Sequence, residues 1–83
     1  MGIEEELVQL IGFMKQMGKP NPSGQLVVKY GDFVTDPTVT NTFEAPFGLL
    51  KSARKRKIVA FDGEILLSPM HDRVDITLLR ESV

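Results

Sequence analysis

The chain has no cysteine and no tryptophan, and a single histidine and a single tyrosine in 83 residues. Without cysteine, neither a disulfide framework nor a thiolate metal site is available. With one histidine as well, a structural zinc site is effectively excluded. This composition fits a reducing compartment. Long apolar runs are also missing, and none approaches the roughly 18–20 residues that a membrane span needs. Glu4, Glu5 and Glu6 stand where a secretory signal would carry positive charge. The expectation is one soluble intracellular domain spanning 1–83, near the lower end of what folds without staples.

Charge is nearly balanced overall, at −1, but unevenly placed. Lys51, Arg54, Lys55, Arg56 and Lys57 supply five of the ten basic residues within seven positions. The rest of the chain carries five basic against eleven acidic residues, a balance of −6. A basic spot on an acidic body can steer an acidic partner to one face. Such a body is poorly suited to non-specific binding of a polyanion.

Ile3, Leu7, Leu10, Ile11, Met14 and Met17 recur at spacings of three and four, which predicts an amphipathic helix over 3–17. Its first turn is acidic, complementing the helix dipole. Gly18 suits a left-handed residue after the last turn, and Pro20 prevents continuation. GKPNPSG reads as a loop, QLVVKY as a short strand, and GDFVTD as a short helical turn. Asp36-Pro37 is a helix start, a capping side chain followed by proline at the first helical position, with Thr38 or Thr40 as alternative caps. The stripe Val39, Phe43, Phe47, Leu50 and Ala53 then runs toward the basic cluster, and Pro46 should kink or break the helix near Ala45. Gly48 reads as a close helix contact.

IVAF is strand-like, Asp62-Gly63 is a tight-turn signal, EILL follows, and SPMHDR is a loop. Whether Asp62-Gly63 turns a hairpin or bulges one longer strand is open. In VDITLL, Val74, Ile76 and Leu78 share one face and Asp75 and Thr77 the other. The order predicts an α+β fold, a winged-helix-like single domain with a kinked third helix and a C-terminal β-hairpin or meander. The early strand should pair with that hairpin.

The stretch TFEAPFGLLKSARKRKIVAFDGEILLSPMHDRVDITLL resembles the Costars family and the C-terminal domain of actin-binding Rho-activating protein. Asn41, Phe43, Glu44, Ala45, Gly48, Leu50, Lys51, Ala53, Arg56, Lys57, Ile58, Val59, Gly63, Glu64, Leu66, Leu67, His71, Asp72, Val74 and Ile76 match in ungapped register. VVKYG resembles an upstream family segment. Pro46-Phe47 and Ser68-Pro69-Met70 depart from the pattern. The resemblance implies a winged-helix-like fold and a non-enzymatic role in actin dynamics, in the cytoplasm and associated with the cytoskeleton. The implied partner is the acidic actin filament, or an actin-regulating protein.

The plain reading of the basic cluster is a solvated helix end. Five cations in seven residues nevertheless repel one another by more than the dipole returns, at about 0.3–1 kcal/mol per contact in the last turn alone. A dock formed by Lys51, Arg54, Lys55, Arg56 and Lys57 is therefore expected, with Lys51, Arg54 and Lys55 on one helix face. DNA recognition is not expected. Helix-turn-helix readers use the N-terminal residues of the recognition helix, and TVTNTFEAPF carries Glu44 and no cation.

Asn41, Glu44 and His71 complete the candidate site. Glu44 lies off the apolar stripe and could pair with a cation, cap a backbone group or face the partner. His71 beside Asp72 would need converging polar groups to act as an acid or base, and no nucleophile motif is present. A ring bonded to a neighbouring carboxylate or backbone group is the preferred reading. No catalysis, cofactor, metal or membrane contact is expected, and the protein is read as a monomer.

Overall fold

The computed structural model describes residues 2–62 and 73–81. Helix α1 spans Ile3–Met17 and buries Leu7, Leu10, Ile11 and Met14, the middle of the expected stripe. Ile3 at its start is 41% exposed, so the stripe begins one turn outside the core. Gly18 departs from expectation. Its φ of −71° and ψ of 152° are extended, not left-handed, although its N–H still donates to the Met14 carbonyl at 2.8 Å.

Glycine is needed there for proximity. A Cβ at position 18 would stand 2.5 Å from the Met14 carbonyl oxygen and 3.0 Å from the Leu26 Cβ. Gly18→Ala should therefore force backbone apart and cost about 1–3 kcal/mol. That loss would appear as a lowered urea midpoint with an unchanged slope. A neutral result would show that the helix end relaxes freely.

The chain from 18 to 24 is not wholly loop. Lys19–Pro20 form a two-residue edge strand, β1, opposite Val27 and Leu26 of β2, which spans Leu26–Lys29. Proline and lysine are edge residues because neither favours a further strand adding outside them. The turn is closed by Asn21, whose Oδ1 accepts from the N–H groups of Ser23 and Gln25 at 2.9 Å each. Gly24 takes the positive φ, 85°, that this turn requires.

Tyr30 does not extend β2. It opens α2, Tyr30–Thr35, the expected helical turn, and its N–H donates to the Val74 carbonyl at 2.9 Å. Helix α3, Pro37–Thr42, begins as the sequence predicts. The Asp36 carboxylate accepts from Thr38 and Val39 N–H at 2.9 and 3.1 Å, which leaves Thr38 and Thr40 out of the capping role.

Of the kink or break expected near Ala45, the structure shows the break. Phe43 is extended, and α4, Pro46–Lys55, starts afresh with Pro46 in its first turn, where a missing N–H costs nothing. Gly48 is exposed, and among the described residues a Cβ there would meet only the Ala45 Cβ, at 3.8 Å, so no tight helix approach is found there.

Strands β3, Val59–Ala60, and β4, Asp75–Leu78, complete an antiparallel sheet of order β1-β2-β4-β3 among the described residues. Val28 pairs with Ile76 and Val59 with Leu78, so the early strand does join the C-terminal strands. Lys29 and Asp75 face each other across β2 and β4 as an ion pair. Ile76 and Leu78 are buried and Asp75 is exposed, as the alternation predicts. EILL, Gly63, the SPMHDR loop through Asp72 and the hairpin-or-bulge question at Asp62-Gly63 fall on or run into positions outside the described residues.

The core lies between the helices and one face of the sheet. At its helical end Phe43 meets Phe13 edge-on, with centroids 5.6 Å apart, and stacks on Phe33 at 6.5 Å. Leu50, Ala53 and Ile58 are fully buried and fix α4 and the start of β3 against the same core.

Candidate cationic site at the end of helix α4

Burial of Leu49, Leu50 and Ala53 turns the opposite side of α4 outward. Lys51 and Lys55 are exposed there, one turn apart, and Arg54 is half-buried beside them. Two aromatic rings hold this face. The Lys51 ammonium lies 5.6 Å from the Phe47 ring centroid, and the Arg54 guanidinium 4.8 Å from that of Phe61. Each such contact is worth about 0.5–1 kcal/mol at an exposed site and offsets part of the repulsion between neighbouring cations. Phe47, on the apolar stripe, is half-buried, packs against the edge of the core and lies under Lys51.

The helix ends in a Schellman motif. Lys57 N–H donates to the Arg54 carbonyl at 3.0 Å and Ile58 N–H to the Ala53 carbonyl at 2.8 Å, with Ile58 and Ala53 both buried. Arg56 caps the helix, and Lys57 occupies the left-handed position at φ 61°. Glycine is the residue usually found there, since a side chain in this conformation costs about 1–2 kcal/mol. Lys57→Gly should therefore stabilise the fold by about 1 kcal/mol, net of the extra freedom glycine gains on unfolding. Its melting temperature should rise by roughly 4–8 °C. A fall on thermal denaturation would mean that the lysine stem packs usefully. A lysine kept where glycine is easier is consistent with a demand for charge at that point.

The structure brings Lys51, Arg54, Lys55, Arg56 and Lys57 together and separates two of the other candidates from them. Asn41 lies in the last turn of α3 and Glu44 in the break before α4, so both sit near the opposite end of α4, lining a recess of about 390 Å³ with Glu6 and Thr40. His71 lies outside the described residues. The ion pairs Lys15–Glu81, at 3.3 Å, and Lys29–Asp75 lie outside the cluster. Among the described residues no three His, Cys, Asp or Glu side chains converge to hold a metal, and no helix there is long and apolar enough to cross a membrane.

One cation escaped the sequence reading. β3 and β4 pair so that Leu79 N–H donates to the Ile58 carbonyl at 2.7 Å and Arg80 N–H approaches the same oxygen at 3.4 Å. Arg80, exposed, therefore has its backbone beside Ile58, the residue that follows Lys57. In the sequence IVAF is set only against EILL, as a hairpin or one bulged strand, which gives no signal for Arg80.

The Costars family profile matches residues 2–79. The chain belongs to the Costars family. Among its relatives is a Costars family protein ABRACL of Salmo salar, 44% identical over 81 residues, which cover 98% of this chain and 100% of the relative. Protein costars of Dictyostelium discoideum is likewise 44% identical, covering 98% and 99%. The solution structure of human HSPC280 protein superimposes with a TM-score of 0.87 at 42% identity, over 96% of this chain and 94% of that one. The Costars match takes in all five clustered cations and stops one residue short of Arg80.

Proposed function

We propose that this Costars protein modulates actin dynamics by binding and not by catalysis. It docks on the acidic actin filament through Lys51, Arg54, Lys55, Arg56 and Lys57, in the cytoplasm and as a single winged-helix-like domain. One observation carries this reading. Five cations are gathered at one helix end, two of them seated over aromatic rings, on a body that otherwise carries −6. Solvation alone does not require that arrangement, because the dipole of a ten-residue helix rewards only the cations of its last turn.

Family membership supports the actin direction, and charge complementarity supports the site. The N-terminal turn of α4, where a DNA-reading helix would carry its base contacts, presents Pro46, Phe47 and Gly48 and no cation. That disfavours nucleic acid as the ligand.

The test is co-sedimentation of the purified protein with actin filaments across a salt series. Pelleting at low salt that fades as salt rises is expected, since exposed charges are screened within about 10 Å at 0.1 M. Absence of pelleting at low salt would place the actin connection in another protein, with this chain as its adaptor.

A further inference from the structure

The end of the sheet beside the dock is shaped as well as charged. Residues 24–26, 78–81 and 57–58 lie side by side there, because β2, β4 and β3 are neighbours in that order. Between residues 24–26 and 78–81 runs a recess of about 430 Å³ with Leu26, Leu78 and Leu79 in its wall. Leu79 is 43% exposed, one of three large apolar side chains left so open among the described residues, and the other two, Ile3 and Val8, are on α1. Glu81, at the recess edge, is engaged by Lys15 at 3.3 Å, so its charge is partly countered. Arg80 lines the recess, and its N–H lies against the Ile58 carbonyl, one residue after Lys57.

We infer that this recess and the cationic end of α4 form one continuous docking surface for an extended acidic segment of a partner protein that carries an apolar side chain. Leu79 receives that side chain and Arg80 binds a carboxylate. This deepens the docking role proposed above and rests on it for the sign of the partner's charge. The chemistry favours a protein segment over the other anions. A nucleic acid has phosphates for the cations, but it would meet the acidic remainder of the body and has no use for a leucine-walled recess. An acidic peptide satisfies both halves, with carboxylates forking onto arginine and an apolar anchor in a pocket, the pairing that dominates tight interfaces.

The test is an NMR titration of the isotopically labelled full chain with two seven-residue peptides, six glutamates around a central leucine or a central glycine. The leucine peptide should shift the amides of residues 24–26 and 78–81 together with those of 54–58, and bind about tenfold more tightly than the glycine peptide. Leu79→Ser should erase that preference, and Arg80→Gln should weaken both peptides. Equal affinity for the two peptides, or shifts confined to residues 51–57, would overturn the recess while leaving the cationic dock in place. So would anionic phosphatidylserine vesicles that broaden the Leu79 amide while neither peptide does, which would assign the surface to lipid. Failure of filament pelleting would leave the peptide comparison unaffected, so the two ideas fail separately.

Discussion

Phe43→Ala is expected to lower the unfolding free energy by about 3–5 kcal/mol. The ring is 2% exposed and ties three helical segments together, edge-on to Phe13 of α1 and stacked on Phe33 of α2, at the point where α3 gives way to α4. Truncation removes buried apolar area, leaves a cavity and deletes two aromatic pairs worth about 0.5–1.5 kcal/mol each beyond their area. The backbone there is already extended and bridges two helix ends, so little can collapse into the space. An ordinary domain holds roughly 0.05–0.15 kcal/mol of stability per residue, so in a chain of 83 residues this one change removes a large share of the total.

Urea unfolding should show the midpoint falling steeply, whereas Phe47→Ala, at a half-buried ring, should cost much less. A loss below about 1 kcal/mol for Phe43→Ala would mean that the three segments do not depend on this ring.

Phe43 was visible in the sequence through its helical spacing from Val39, although it lies in the extended break itself, and the features that were legible share that quality of being local. The apolar spacing of α1, the Asp36-Pro37 start and the stop at Pro46 are decided by a few neighbouring residues, and the structure carries all three. What misled was close packing, which the sequence does not display. Gly18 was read as a left-handed cap, yet the reason for glycine is the Met14 carbonyl oxygen, 2.5 Å from where a Cβ would stand, with the Leu26 Cβ next at 3.0 Å. Gly48 was read as a close approach, yet α4 turns it toward solvent.

The site divides in the same way. The five-cation run is a property of contiguous sequence. Its aromatic support is partly so, since Phe47 and Lys51 are four apart, whereas Phe61 reaches Arg54 only after the chain turns at the Schellman motif. Arg80 joins through strand pairing alone.

Replacing Lys51, Arg54 and Lys55 together with glutamine should weaken filament binding by roughly 100-fold while leaving the protein folded. Each lost charge pair at a largely exposed interface is worth about 1 kcal/mol, and 1.4 kcal/mol is tenfold in affinity. Three such losses therefore combine to about two orders of magnitude. The stability effect is smaller because opposing terms meet. Two cation–π contacts disappear, at about 0.5–1 kcal/mol each, while repulsion between Lys51 and Lys55 one turn apart is relieved. Leu50 and Ala53, which anchor α4, are untouched. A variant that melts within a few degrees of wild type and no longer pellets with filaments would assign the contact to this face. One that pellets like wild type would remove residues 51–55 from the dock. The salt dependence supplies an independent check, because a surviving interaction that had lost three charges should fade less steeply as ionic strength rises. An unchanged salt slope beside a large loss of affinity would point instead to packing of the Arg54 stem on Phe61 as the feature the partner needs.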